Sequence, residues 1–306
     1  MSIDDAMAAR FPWATSVGER LRERSVSICN EFCRAGLLDH AAGTRLCSED
    51  DSIFWPTFSE VIVGDLLRRA GLDPSHREPG PDFLLEHAGT RIWVEVITPA
   101  PNGLPEEWLN PKLNEAYHVP ATSILLRWTA AIKEKAEKLL GRNAALPQSG
   151  YLQRGIVGRQ DAYVIAVNGL RLRNGCFPQL EGLSQFPFAV EATYAVGPLA
   201  ITIDRDTLEH LGTQHLHQPE VQRAERASVP ADTFHDPHYA PISAVWALDA
   251  GPMSLLGEVQ PMVVVHNPHA TNPLPVGLLP AQSEYTLEIS DVDFSARRMN
   301  GRDHRD

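Results

Sequence analysis

The segment GPDFLLEHAGTRIWVEVITP, residues 80–99, carries the most information about the fold. Two runs rich in apolar residues flank the turn-forming residues 87–90, a pattern that predicts a β-hairpin. Asp82 enters the first strand and Glu95 lies inside the second. With the turn at 87–90, residue 82 pairs approximately with residue 95, so we expect the two carboxylates to converge at one place on the sheet.

This pair of carboxylates has the chemistry of a site for a divalent cation. Adjacent carboxylates raise each other's pKa unless a cation lies between them. Hard cations such as Mg²⁺ bind carboxylates together with waters and substrate phosphate oxygens, and the ion activates a water molecule for attack on phosphorus. We therefore expect Asp82 and Glu95 to bind Mg²⁺ or Mn²⁺. The alternative is structural: Asp82 lies in an ordinary turn, and Glu95 pairs with Arg91 or with a helix lysine.

The layout of the hairpin and its two acids resembles that of the PD-(D/E)XK (restriction-endonuclease-like) nuclease superfamily. The resemblance covers residues 56–168, roughly a third of the chain, and the whole chain resembles divergent bacterial proteins that carry the same GPDF and W-V-E segments. It implies a core of α-β-β-β-α-β order, with its first strand at 75–78. It also implies metal-dependent hydrolysis of phosphodiester bonds, with DNA favoured over RNA.

The resemblance assigns roles to individual residues. An acid on the helix before the hairpin often completes the metal site in this superfamily, and Glu60 occupies that position, although its capping-box spacing from Thr57 offers a structural alternative. The usual lysine, two residues after the second acid, is Ile97 here. In divergent members the next helix supplies the lysine, and the candidate is Lys135, on the apolar stripe of that helix. Its alternative role is structural: a stem that covers the sheet while the ammonium reaches water.

The charge distribution sets limits on the substrate. The net charge of −12 argues against extensive coating of nucleic acid. Residues 121–160, however, contain seven Lys or Arg and two Glu, which suits a phosphate-bearing substrate. Arg127 and Lys133 are the candidates for contacts with phosphate. The alternative is a solvated helix face.

The pattern along the chain predicts an α/β fold with a PD-(D/E)XK-like core, in which helices flank a mixed central sheet. Helices are predicted at 16–36, 57–70 and 122–140, and a buried strand at 161–169. Later strands are predicted at 188–196, 199–203, 242–248 and 262–266, with a short helix after residue 206 and irregular structure over 218–240. The predicted division is an N-terminal helical segment (1–55), the core (56–170), a mostly β extension packed on the core (171–295) and a disordered tail (296–306).

Other function classes find little support. No apolar stretch is long enough for a membrane span, and the acidic N-terminus lacks the features of a signal peptide, so we expect a cytoplasmic protein without a membrane partner. The sequence has no Walker loop and no nucleophile elbow. The leading hypothesis is a Mg²⁺-dependent nuclease. The alternative is a catalytically inactive nuclease fold that binds protein or nucleic acid, which the missing lysine and the acidic charge favour.

Overall fold

The computed structural model describes residues 2–112, 114–141, 149–174, 180–223, 226–289 and 294–300. The helices are α1 (Ile3–Arg10), α2 (Ser16–Arg34), α3 (Ala42–Leu46), α4 (Asp51–Arg69), α5 (Glu106–Leu109), α6 (Ala121–Leu140) and α7 (Phe188–Tyr194). The strands are β1 (Phe83–His87), β2 (Thr90–Ile97), β3 (Ala162–Asn168), β4 (Val196–Ile203), β5 (His210–His217), β6 (Glu220–Arg223), β7 (Arg226–Pro230), β8 (Ala244–Leu248), β9 (Met262–His266), β10 (Ser283–Ile289) and β11 (Phe294–Asn300).

A seven-stranded sheet in the order β1-β2-β3-β8-β9-β10-β11 forms the centre of the fold. The pairs β2–β3, β3–β8 and β9–β10 are parallel, whereas β1–β2, β8–β9 and β10–β11 are antiparallel. This arrangement confirms the predicted α/β class with a mixed central sheet. Two antiparallel ribbons, β4–β5 and β6–β7, lie outside that sheet.

Helices cover both faces of the sheet. On one face Trp93 and Tyr163 belong to an apolar cluster with Trp128 of α6. On the other face Val94 belongs to a second cluster with Phe58 of α4. Strand β3 is buried along its whole length, as expected for a parallel strand covered on both sides. This sandwich holds the hairpin β1–β2 between the α4 layer and the α6 layer.

Helix α4 begins six residues before the predicted start. The carboxylate of Asp50 accepts a hydrogen bond from the Ser52 backbone N–H and caps the first turn, and the helix continues through Pro56. The prediction treated Pro56 as a start signal, because proline is favoured in the first turn. Since the helix starts at residue 51, Glu60 lies in its middle, and the capping-box role for Glu60 with Thr57 is wrong. The Glu60 carboxylate therefore does not cap the start of this helix.

The remaining predicted helices need smaller corrections. Helix α6 ends at Gly141, whose φ of 88° lies in the left-handed region that glycine adopts without strain, and its bounds confirm the prediction. The cap of α2 is Thr15, not Ser16, because the Thr15 hydroxyl accepts the hydrogen bond from the Gly18 backbone N–H. The first strand implied at 75–78 is reduced to one antiparallel bridge between Ser75 and Leu84.

The C-terminal half contains the largest errors of the sequence prediction. The predicted strand at 188–196 is helix α7 over most of its length, and every residue of that helix is buried. A continuous apolar run does not distinguish a buried helix from a buried strand, which explains the error. The predicted helix after residue 206 is a turn between β4 and β5, and residues 218–240 include strands β6 and β7.

The predicted extension contributes strands to the central sheet. Strands β8, β9 and β10 fall within 171–295, yet they pair in continuous order with β3. Residues 296–300, which were predicted to belong to a disordered tail, form part of β11, and residues 301–306 lie outside the described residues. At the other predicted boundary, α4 runs across residues 55 and 56. Within the described part of the chain, no helix is both long enough and apolar enough to cross a membrane.

Candidate functional site

The hairpin brings Asp82 and Glu95 together as the register predicts. Phe83 pairs with Val94, and continuing the antiparallel register by one residue places Asp82 opposite Glu95. Directly opposed residues point to the same face of a sheet. The Asp82 Oδ2 atom also accepts a hydrogen bond of 2.6 Å from the Val96 backbone N–H, which fixes the carboxylate beside β2. The two acids are therefore neighbours, and the structural alternative in which Glu95 pairs with a helix lysine is also observed, because two lysines of α6 contact its carboxylate.

Two lysines of α6 donate to the Glu95 carboxylate. Glu95 is 0% exposed, and its Oε1 atom accepts from Lys135 Nζ at 2.8 Å and from Lys138 Nζ at 2.6 Å. The ammonium of Lys135 thus binds the carboxylate instead of reaching water, and its side chain is only 12% exposed. The Oε2 atom of Glu95 is buried and makes no hydrogen bond with any described residue. Helix α6 therefore places two positive charges against the Glu95 carboxylate.

Lys138 was not singled out by the sequence. It follows Lys135 by three residues, a spacing that places two side chains on the same side of a helix. This three-residue spacing is the sequence pattern that indicates Lys138. The apolar stripe of α6, on which the prediction relied, indicates Lys135 alone.

Burial and mutual repulsion raise the pKa values of the two other acids. Both residues are half-buried. Burial, followed by the negative charge of Asp82, raises the pKa of Glu60 well above its ordinary value, against the opposing charges of Arg45 and Lys135. Burial, followed by the charge of Glu95, raises the pKa of Asp82 to about 6. We refer to Glu60, Asp82, Glu95, Lys135 and Lys138 as the acid–lysine cluster.

Arg45 is a further cation beside this cluster. The Asp39 carboxylate accepts from its guanidinium at 2.7 and 3.0 Å, and the Thr57 hydroxyl accepts from its Nε atom at 2.8 Å. Burial lowers the pKa of Arg45, but the bond with Asp39 and the charges of Glu60 and Asp82 outweigh burial and raise it. No sequence pattern singles out Arg45, because it lies on a helix of five residues, which is too short to show an apolar stripe.

The two candidates for phosphate contacts lie elsewhere on α6. Lys133 is exposed and lines a cleft against β6 and β7, together with Arg223 and residues 227–230. Arg127 is half-buried, and its Nε atom makes no hydrogen bond with any described residue. Among the described residues, the ion-pair partners of Glu95 are Lys135 and Lys138 and include neither of these cations. A role for Arg127 and Lys133 in binding phosphate stays a prediction.

A cleft of about 390 Å³ opens next to Lys138 and connects the acid–lysine cluster to the surface. The Tyr151 hydroxyl donates to the Gly80 carbonyl at 3.2 Å, and its ring centroid lies 5.7 Å from the Lys138 ammonium. Tyr151 therefore ties the start of the hairpin to the end of α6. The cleft is lined by Glu134, Glu137, Lys138, Ser149, Gly150, Tyr151 and Arg154.

The donor set fits a cation that takes few protein ligands. Among the described residues, no three His, Cys, Asp or Glu side chains are grouped closely enough to hold a metal ion. Mg²⁺ commonly keeps several waters and binds one or two carboxylates together with substrate phosphates. Asp82 and Glu95 supply two carboxylates, and the buried Oε2 atom of Glu95 lacks a partner among described residues. A cation there would relieve the repulsion that raises the pKa of Asp82.

Comparisons of the chain with protein-family models, with curated proteins and with solved structures found no match. Function is therefore inferred from the residues of the acid–lysine cluster and the elements that carry them.

Proposed function

We propose that this protein is a Mg²⁺- or Mn²⁺-dependent nuclease with a PD-(D/E)XK-like core, which hydrolyses phosphodiester bonds in nucleic acid, with DNA favoured over RNA. One observation carries the proposal: the ammonium of Lys135, from the helix after the hairpin, lies 2.8 Å from the Glu95 carboxylate. Lys135 thereby supplies the positive charge that is missing at position 97, beside the two acids of the hairpin. Burying a lysine and a carboxylate at this depth is costly and needs a reason beyond packing.

Each residue of the cluster has a role in this proposal. Asp82 and Glu95 would hold the metal ion, and Glu60 would assist from α4. Such an ion would supply the activation of a water molecule and the neutralisation of negative charge on the phosphate. Lys135 orients the attacking water and stabilises the charge that develops on the phosphate oxygens, as preorganised cations do in water-excluded sites.

The protonation of the acids favours catalysis near neutral pH. Because the pKa of Asp82 is raised to about 6, its carboxyl group is largely protonated in acid and becomes a metal ligand as the pH rises above that value. Metal affinity, and with it activity, should therefore fall as the pH falls through about 6. The raised pKa of Glu60 acts in the same direction.

The second candidate function is a catalytically inactive nuclease fold that binds protein or nucleic acid. One observation favours it: two ammonium groups already neutralise Glu95, and the described residues offer no group of three metal ligands. In this case the acid–lysine cluster would be a structural ion network that joins α6 to the hairpin.

Cleavage of plasmid DNA and of single-stranded DNA and RNA in Mg²⁺ or Mn²⁺ separates the two functions. The test variants are Asp82→Asn, Glu95→Gln and Lys135→Met. The matched control is Glu86→Gln, since Glu86 is an exposed acid at the far end of strand β1. A nuclease loses cleavage in the three test variants and keeps it in the control. Nucleic-acid binding without cleavage by the wild type, under every metal condition, would instead establish the binding module.

A further inference from the structure

Two ammonium groups of α6 share one oxygen of the Glu95 carboxylate. Lys135 and Lys138 both donate to the same Oε1 atom, at 2.8 and 2.6 Å. Two positive charges therefore lie against one carboxylate oxygen, while the Oε2 atom has no partner among the described residues. Lys135 alone provides a counter-charge for the Glu95 carboxylate. A divalent cation bound by this carboxylate would have to lie beside both ammonium groups.

The two lysines differ in how freely their ammonium groups can move away from Glu95. The side chain of Lys135 is 12% exposed and is enclosed between α6 and the sheet. The side chain of Lys138 is 48% exposed and lines the cleft that opens to solvent. Lys138 can therefore move its ammonium away from Glu95 without opening the core, whereas Lys135 cannot.

The cleft also offers Lys138 a second position. Glu134 precedes Lys138 by four residues on α6 and lines the same cleft, and a Glu four residues before a Lys is the favoured order for a helical ion pair. The centroid of the Tyr151 ring lies 5.7 Å from the Lys138 ammonium, so the ring can also attract this cation. A Lys138 ammonium displaced from Glu95 can thus form an ion pair with the Glu134 carboxylate.

We propose that Lys138 occupies the place of the divalent cation beside Glu95 in the metal-free protein and moves into the cleft, toward Glu134, when the metal binds. Lys138 is thus a built-in competitor that sets the affinity of the site for metal, distinct from Lys135, which stays with Glu95. This inference rests on the proposed metal site. It predicts that removing the Lys138 charge strengthens metal binding, because the ion no longer has to displace a cation.

The test is calorimetric titration of the full chain with Mn²⁺ alone, near neutral pH. Lys138→Met should bind Mn²⁺ at least about tenfold more tightly than the wild type, since a like charge is removed from a poorly solvated site. Lys138→Arg should resemble the wild type, because the competing charge is kept. Lys112→Met serves as the control for net charge, since Lys112 is 79% exposed and pairs with Glu115 outside the cluster.

The outcomes separate this inference from the proposed function. Unchanged or weaker Mn²⁺ binding by Lys138→Met, with binding by the wild type, overturns the competitor role and leaves the metal site intact. Absence of Mn²⁺ binding in the wild type and in all variants overturns both. A crystal structure of the wild type with Mn²⁺ gives a readout that needs no variant: Lys138 should then contact the cleft, and a Lys138 ammonium still bound to Glu95 beside the metal contradicts the inference.

Discussion

Replacing Asp82 by Asn should stabilise the metal-free protein at neutral pH. Burial and the charge of Glu95 raise the pKa of Asp82 from its ordinary value of 3.8 to about 6. Between these values the folded state binds more protons than the unfolded state, so the free energy of unfolding falls as the pH rises through this window. A raised pKa of this size corresponds to a penalty of about 3 kcal/mol when the carboxyl group is fully ionised.

The variant removes this penalty and keeps the local hydrogen bond. The amide oxygen of Asn accepts from the Val96 backbone N–H as the Asp82 carboxylate does. Because the residue retains partial exposure, we expect a gain of about 1–3 kcal/mol in the free energy of unfolding at about pH 7. At about pH 4 the carboxyl group is already protonated in the folded state, so the difference should shrink toward zero.

Urea denaturation followed by circular dichroism, with EDTA present, measures the effect at both pH values. Glu86→Gln is the matched control, since Glu86 is an exposed acid on the same hairpin and should change little at either pH. If Asp82→Asn is no more stable than the wild type at about pH 7, or if the gain is the same at both pH values, burial beside Glu95 does not raise the pKa of Asp82 as described. An equal gain in the control would show that general charge reduction, not burial beside Glu95, is responsible.

Three further predictions concern Lys135, the packing around Gly64 and the binding of Mn²⁺. Lys135→Met should reduce cleavage of nucleic acid at least about 100-fold while Mn²⁺ binding persists, because the lysine acts on the reacting phosphate and is not a metal ligand; retained cleavage in a plasmid assay contradicts this role. Gly64→Ala should lower the free energy of unfolding by about 1–3 kcal/mol in urea, because its Cβ atom would lie 2.4 Å from a ring carbon of Phe32. Gly43→Ala, with nothing within 4 Å of its Cβ atom, is the control and should not destabilise. Mn²⁺ should raise the melting temperature of the wild type in a concentration-dependent way, and an unchanged melting temperature at saturating Mn²⁺ argues against a metal site.

The hairpin and the helix that follows it were predictable because local patterns determine them. Turn residues separate two apolar runs in the hairpin, and the strand register then places Asp82 opposite Glu95. The apolar stripe of α6 fixes which face meets the sheet, and so directs Lys135 toward Glu95. These features depend on spacing along one or two neighbouring elements, which is the information that a single sequence contains.

Other features depend on contacts between distant segments, and the sequence does not reveal them. The apolar run that forms helix α7 would suit a buried strand equally well, and packing against other segments determines which of the two forms. Arg45 reaches the acids only because Asp39 and Thr57 position its guanidinium. The joining of β8 to β3 is likewise a long-range pairing, which explains why the C-terminal half was predicted to be a mostly β extension packed on the core.

Anomalous diffraction from crystals of the full chain soaked in Mn²⁺ locates the ion itself. We expect one anomalous peak in contact with the carboxylates of Asp82 and Glu95, with Lys135 still beside Glu95. Crystals of Asp82→Asn, soaked under the same conditions, should lack that peak. Absence of a peak in the wild type, with both lysines still bound to Glu95 at saturating Mn²⁺, would contradict the metal site and identify the cluster as a structural ion network.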